Sequence, residues 1–173
     1  MQRLPPAVPS AEELAFRARE GTAPPNLQLA MAHAPEVARL QLELNRAAAA
    51  GMTIRQKELI ILPIAVLTTN AYCWGHHVPL AMAGNISRDE VLAIRNGDYS
   101  IFPDHERALI EFVTAMVARR VTDAEWSAMA ARRDEQELVQ IVMLAGFYIM
   151  LGSVQSAIGA PQDEGFGGFE QPE

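Results

Sequence analysis

The side chains best suited to chemistry lie close together in the first half of the sequence. Glu58 opens a long apolar run that ends at Asn70, and a cluster of reactive side chains follows at once: Tyr72, Cys73, Trp74, His76 and His77. This cluster contains the only cysteine of the chain and two of its four histidines. A carboxylate, a thiol and an imidazole can support either acid–base or nucleophilic chemistry. The candidate site therefore lies within residues 58–77.

The spacing within this stretch predicts a helix that presents two of the reactive groups together. Asn70 is a favourable N-cap, and Gly84 suits the position after the helix end. Cys73 then lies in the first turn, with His77 one turn later on the same face. The helix dipole and a neighbouring imidazolium both favour a thiolate, so we expect a lowered pKa for Cys73. His76 and Trp74 point elsewhere, and we expect His76 to be exposed or to bridge to a neighbour.

Each of these residues also has a purely structural interpretation. A single cysteine on an apolar helix commonly fills the core, and a single histidine commonly makes a structural hydrogen bond. A metal site would need Cys73, His76 and His77 to converge, yet adjacent histidines on a helix point about 100° apart. We therefore expect neither a metal ion nor another cofactor.

Composition limits the class of protein. A chain of 173 residues with 50% hydrophobic and 20% charged residues is typical of one soluble globular domain. A net charge of −7 argues against nucleic acid or an anionic membrane as a partner. The single cysteine excludes an internal disulfide. No charged-then-apolar signal segment opens the sequence, so we expect a cytoplasmic protein.

Helical spacing and repeated capping signatures predict an all-α fold. A Ser, Thr or Asp is followed three residues later by Glu or Gln at Ser10, Thr53, Ser87, Thr122 and Asp134. The resulting domain spans residues 10–160. Residues 1–9 are predicted to form an extended N-terminal arm. The acidic, glycine-rich tail at 161–173 is predicted to be mobile unless Phe166 and Phe169 dock on a neighbour.

Two of the predicted helices have unusual sequences, one with an internal proline and one that is largely apolar. Pro63 lies inside the helix that contains Glu58, and should kink it near Leu62 or divide it in two. Residues 138–160 are apolar enough to suggest a membrane span, but glutamines, serines and glycines interrupt them and no basic flank follows. A buried central helix, or one shared with another subunit, is the better interpretation. The other helices are predicted at 10–20, 26–33, 35–50, 87–97, 103–120 and 122–132.

The ordered residues resemble a known family. The set comprises Glu58, Asn70, Tyr72-Cys73-Trp74-Gly75-His76-His77, Ala81, Gly84 and Asp89-Glu90. It resembles the carboxymuconolactone decarboxylase superfamily, which includes the alkylhydroperoxidase-D proteins, and the resemblance covers nearly the whole chain. It implies a single-domain helical bundle of the alkylhydroperoxidase-D-like type. It also implies a homo-oligomer, such as a trimer, a hexamer or a related assembly.

The resemblance also assigns expectations to single residues. Alkylhydroperoxidase-D members carry a glutamate followed by Cys-x-x-Cys-x-x-x-His, which Glu58, Cys73 and His77 match at the glutamate, second cysteine and histidine. Asn70 stands at the first cysteine, so the dithiol is missing. Members most similar over the full length commonly read Tyr-Glu-Trp-x-x-His, and Cys73 replaces their glutamate.

Three functional hypotheses remain open from the sequence. The leading one is a lyase or decarboxylase-type enzyme for a small organic substrate. In it His77 moves a proton, Glu58 tunes it, and the pocket is lined by Asn70, Tyr72, Trp74 and His76. The second is a single-cysteine, peroxiredoxin-like oxidoreductase in which Cys73, assisted by His77, reduces a peroxide. The third is a non-catalytic oligomeric binding protein.

Overall fold

The structure, a computed structural model, describes residues 2–11, 14, 15, 18 and 23–167 of the chain. Eight helices are defined there: α1 (Asn26–Met31), α2 (Pro35–Ala48), α3 (Ile54–Leu67), α4 (Ala71–Ala83), α5 (Arg88–Asn96), α6 (Asp104–Val117), α7 (Asp123–Ala130) and α8 (Glu135–Ile158). The described residues contain no β-strand, so the all-α prediction is confirmed. The predicted helix at 10–20 falls largely outside the described residues, as does Phe169 of the tail.

Side-chain caps start several helices where the sequence predicted them. Three helices begin with a complete capping box, in which cap and third residue exchange hydrogen bonds: Ser87 with Glu90, Thr122 with Glu125, and Asp134 with Glu137. These bonds satisfy backbone N–H groups that have no partner within the helix. At the start of α3, the Thr53 hydroxyl accepts from the N–H of Gln56 at 3.1 Å. The order of elements therefore follows from local chemistry.

Helix α3 is the centre of the domain. It packs against α4, α5, α6 and α8, and its residues from Glu58 to Ala65 are all buried. A helix that is apolar on every side is stable only when neighbours surround it. Pro63 lies within α3 without dividing it, so the predicted alternative of two shorter helices is wrong.

A tight turn joins α3 to α4 and brings their side chains together. Thr69 adopts the left-handed backbone conformation, with φ 52°, and the N–H of Asn70 donates to the Ala65 carbonyl at 2.8 Å. At the far end, a Cβ on Gly84 would lie 2.7 Å from the side chain of Ile54. The absence of that Cβ lets the two helices pack closely along their length. Glu58 of α3 and His77 of α4 consequently face each other.

Helix α8 has both buried and exposed apolar residues. By length and composition it could cross a membrane, with a mean hydropathy of 1.8, although the core helix of a soluble protein meets the same criteria. One face packs on α2, α3 and α6 and is buried at Ile141, Leu144 and Tyr148. Val139 and Met143 remain exposed on another face. Helix α8 thus packs one apolar face on the domain and leaves another apolar face uncovered in the single chain.

Candidate active site

Glu58 and His77 form a hydrogen-bonded pair between α3 and α4. The Glu58 Oε2 atom lies 2.9 Å from the His77 Nδ1 atom. The side chain of Glu58 is 3% exposed and that of His77 is 14% exposed. A carboxylate that accepts from Nδ1–H fixes the ring orientation and leaves the Nε2 lone pair available. Within the described part of the chain, Nε2 has no hydrogen-bond partner, so it is the atom free to exchange a proton with a ligand.

Cys73 lies beside this pair as a buried thiol. The Asn70 Oδ1 atom accepts from the Cys73 N–H at 3.0 Å, which confirms the predicted N-cap. Burial raises the pKa of the Cys73 thiol, and the negative charge of Glu58 raises it further. The predicted lowering of this pKa is therefore wrong, because desolvation outweighs the helix dipole. No hydrogen bond among the described residues joins the thiol to His77.

Tyr148 of α8 packs against the same region, and the sequence pattern does not predict it as a site residue. Its ring meets the His77 ring edge-on, with centroids 5.1 Å apart and planes at 87°. Burial raises the pKa of Tyr148, the neighbouring Cys73 and Glu58 add to this, and a hydrogen bond with Asn45 opposes it. Tyr148 is therefore held as a neutral phenol. Its position in an apolar helix offered no sequence signal beyond packing.

A second polar cluster lies on a neighbouring face of α4, around Asp163 of the tail. The Asp163 carboxylate accepts from the Tyr72 hydroxyl at 2.5 Å, from His76 Nε2 at 2.8 Å and from the Asn26 N–H at 2.7 Å. The ring of Phe166 stacks on His76 with centroids 4.0 Å apart. His76 therefore bridges to a neighbouring segment, which is one of its two predicted environments.

The electrostatics of His76 reflect this enclosed position. Burial lowers the pKa of His76, Asp163 opposes that effect through its charge and its hydrogen bond, and His77 adds to the lowering. The influence of His77 shows that the two clusters are close enough to interact electrostatically. Asp163 and Phe166 had no sequence signal as site residues, because both lie about 90 positions beyond the cluster that they contact.

The structure divides the residues predicted for the site into three groups. Glu58, Cys73 and His77 lie together, while Tyr72 and His76 belong to the Asp163 cluster. Trp74 is fully buried in the hydrophobic core, and Asn70 is 8% exposed and serves as a cap. Within the described ranges, no group of three or more His, Cys, Asp or Glu residues is arranged to hold a metal ion.

Comparison with known proteins places this arrangement in context. Residues 35–115 match the Carboxymuconolactone decarboxylase family, and no curated protein sequence matches the chain. A peroxidase-related protein from Silicibacter sp. TM1040 shares the fold with a TM-score of 0.79 and 17% identity, covering 94% of this chain and 91% of that one. An alkylhydroperoxidase AhpD core protein from Ralstonia eutropha JMP134 follows with a TM-score of 0.74 and 19% identity, covering 87% and 83%.

A third solved structure has a small molecule bound. It is a cysteine-to-alanine variant of the debrominase Bmp8 in complex with 2,3,4-tribromopyrrole, with a TM-score of 0.78 and 20% identity, covering 95% of this chain and 94% of that one. Identities this low establish a shared fold but do not show that the proteins catalyse the same reaction. Residues 35–115 are therefore similar to the Carboxymuconolactone decarboxylase family, and most of the chain shares its all-helical fold with an alkylhydroperoxidase AhpD core protein and a peroxidase-related protein.

Proposed function

We propose that this protein is a small-molecule enzyme that uses acid–base chemistry of the lyase or decarboxylase type, centred on His77. The observation that carries the proposal is the 2.9 Å hydrogen bond between Glu58 Oε2 and His77 Nδ1. It orients the ring and stabilises the imidazolium that forms when Nε2 takes up a proton. The nearly complete burial of Glu58 strengthens this effect, because water screens a buried carboxylate poorly.

Decarboxylation of a small carbonyl acid illustrates the step. The carbon–carbon bond to the carboxylate breaks, carbon dioxide leaves, and the electron pair passes into an enolate. The imidazolium of His77 then delivers its Nε2 proton to the carbon, and the neutral ring is protonated again from solvent. Backbone N–H groups at the start of α4 are candidates to stabilise the enolate.

Cys73 does not act as a nucleophile in this proposal. The raised pKa of Cys73 keeps it as a thiol at neutral pH, and a thiol is a poor nucleophile compared with a thiolate.

The alternative, single-cysteine peroxide reduction, requires a Cys73 thiolate and an external thiol to reduce the resulting sulfenic acid. The fold shared with an alkylhydroperoxidase AhpD core protein motivates this alternative. The non-catalytic binding protein is the third hypothesis, in which no substitution at 58, 73 or 77 alters any turnover.

The proposal is tested by turnover of a panel of small lactone acids and keto acids, followed by carbon dioxide release and product mass. We expect His77→Ala to lower turnover by about 10²- to 10⁴-fold, the usual contribution of a general acid or base. Cys73→Ser should retain turnover within about tenfold, since the thiol transfers no electrons in this scheme. Loss of turnover in Cys73→Ser together with survival in His77→Ala would overturn the proposal and favour thiol chemistry.

We also propose that the chain works as a homo-oligomer. Helical spacing aligns exposed apolar side chains on α8, at Val139, Met143 and Met150, and exposed Val37 and Leu40 lie on α2, which packs against α8. Several exposed apolar side chains on two packed helices are typical of a surface that makes protein–protein contacts. Sedimentation of the full chain should give a multiple of the 18.9 kDa protomer, and Met143→Glu should lower it. A monomer at micromolar concentration would contradict this.

A further inference from the structure

The contacts of Asp163 have the form of a carboxylate-binding site. A phenol hydroxyl, an imidazole N–H and a backbone N–H converge on one carboxylate, from Tyr72, His76 and Asn26 respectively. Charge-assisted hydrogen bonds of this kind are short and strong, and two or three of them satisfy an ionised carboxylate. The donors come from the start of α1 and from one face of α4. Only the acceptor comes from the C-terminal strap, which we define as residues 161–167.

An aromatic position adjoins the carboxylate position. The ring of Phe166 stacks on His76 with planes 21° apart, and the ring of Tyr72 lies 4.6 Å from His76 on centroids. Phe166 is 37% exposed, so the ring position is open to solvent on one side. His76 therefore contacts both an aromatic ring and a carboxylate of the strap. Together the two strap side chains present the groups of a small aromatic acid.

The surface beneath the strap is shaped by α4 itself. A Cβ on Gly75 would lie 1.9 Å from the Gly167 carbonyl oxygen and 2.4 Å from the Gln162 Nε2 atom. A glycine within a helix costs about 1 kcal/mol relative to alanine. Here it leaves a shallow groove between Tyr72 and His76 that admits another chain segment or a flat ligand. The groove thus belongs to α4 and not to the strap.

The strap is tied to the domain by few contacts outside this groove. Asn26 Nδ2 donates to the carbonyls of Pro161 and Gln162 at 3.3 Å, and Glu164, Gly165 and Phe166 are exposed. A tethered occupant of this kind competes with free ligands at an effective concentration on the order of millimolar. A ligand with the same groups can therefore exchange with it.

We propose that Asn26, Tyr72 and His76 form a binding site for small aromatic carboxylates, which the strap occupies through Asp163 and Phe166 and so inhibits in cis. The inference concerns binding alone and is independent of acid–base chemistry at His77. In it the strap acts as a built-in competitor, and a ligand binds when the strap is displaced. The carboxylate of the ligand takes the place of Asp163, and its ring takes the place of Phe166 on His76.

The test is a titration of the full-length chain with benzoate, followed by calorimetry and by nuclear magnetic resonance of the histidine ring nitrogens. We expect the double variant Asp163→Ala/Phe166→Ala to bind benzoate at least about tenfold more tightly than the unmodified chain, because the tethered competitor is removed. Acetate and benzyl alcohol, which each carry half of the recognised groups, should bind more weakly than benzoate. Glu164→Ala removes an exposed carboxylate next to Asp163 and is the matched control, with unchanged affinity.

Two results would overturn the proposal. The first is a folded double variant that binds benzoate no more tightly than the unmodified chain. The second is tight binding that survives His76→Ala in the double variant. If the double variant does not fold, the unmodified chain decides the question. Excess benzoate should then shift the resonances of the His76 ring and the Asn26 N–H, and unchanged resonances would count against the site.

Discussion

Two faces of α4 each present a pair of polar residues at i and i+4, and the two pairs are offset by one residue in the sequence. Cys73 and His77 lie at i and i+4 against α3 and α8, and Glu58 and Tyr148 are their partners. Tyr72 and His76 have the same spacing, but the carboxylate that accepts hydrogen bonds from both, Asp163, lies in the strap. Since successive residues of a helix differ by about 100° in direction, one face meets the core and the other meets the C-terminal segment. The position of the partner, more than the motif, decides the chemistry.

The two faces also differ in how firmly their partners are held. Glu58 is part of the central helix α3, which is surrounded by four other helices. Asp163 lies in a segment that leaves α8 after Gly159 and contacts the domain over a few residues. The proton transfer proposed for Glu58 and His77 benefits from the rigid arrangement, whereas the exchange proposed for the strap requires the looser one. The following changes should affect one face and leave the other intact.

The largest expected effect is at the buried carboxylate. Glu58→Ala should lower turnover by about 10²-fold or more, because the His77 ring loses the acceptor that orients it and stabilises its charged form. The resonances of Phe166 and Asn26 should stay unchanged, since Glu58 has no contact with the strap among the described residues. A variant with full turnover would show that the Glu58–His77 pair is only structural.

The next effect concerns the reactivity of Cys73. Because burial and Glu58 raise its pKa, iodoacetamide at neutral pH should alkylate native Cys73 at least about tenfold more slowly than the same cysteine in the denatured chain. Intact mass against time measures both rates. A brief, slight excess of hydroperoxide should likewise leave Cys73 reduced. Rapid, stoichiometric oxidation that a small thiol reverses would support the peroxidase alternative.

A moderate effect is expected at the strap. Asp163→Ala should lower the free energy of unfolding by about 1–2 kcal/mol, because the partly buried Tyr72 hydroxyl and His76 ring lose an acceptor. Chemical denaturation measures the change. Glu164→Ala, at an exposed neighbouring position, should change it by less than about 0.5 kcal/mol. Equal effects of the two substitutions would show that the Asp163 contacts do not stabilise the fold.

The smallest expected effect is a pH dependence from His76. Its pKa is lowered in the folded chain, so the unfolded chain binds the proton first as the pH falls. The contribution of neutral His76 is therefore present above pH 6.5, its ordinary pKa, and is lost as the pH falls through the folded value. His76→Gln should make the free energy of unfolding less sensitive to acid in this range. His105→Gln, at an exposed position, should leave the sensitivity unchanged.

Much of the fold was predictable because its signals are local. Ser87 with Glu90 and Thr122 with Glu125 are capping signatures that span four consecutive residues, and both form as predicted. The Glu58–His77 contact could be predicted from the sequence for a similar reason. Both residues lie in consecutive helices joined by a tight turn, which leaves few ways to pack them.

The remaining features depend on parts of the chain that are distant in sequence. Tyr148 and Asp163 contact α4 from positions about 70 and 90 residues further along the chain, and nothing in their own neighbourhoods marks them as partners of His77 and His76. The predicted direction of the Cys73 pKa shift was wrong for a related reason. Helix position is visible in sequence, whereas the depth of burial is a property of the packed core, and burial was the larger effect.

The central claim is that Glu58 prepares His77 for proton transfer at Nε2, and the ring nitrogens of His77 report on it directly. In the full-length chain, labelled with nitrogen-15 at histidine, we expect the neutral His77 ring to carry its hydrogen on Nδ1 and to leave Nε2 bare. Glu58→Ala should remove this preference. A neutral His77 ring with its hydrogen on Nε2 and a bare Nδ1 facing Glu58 would contradict the account.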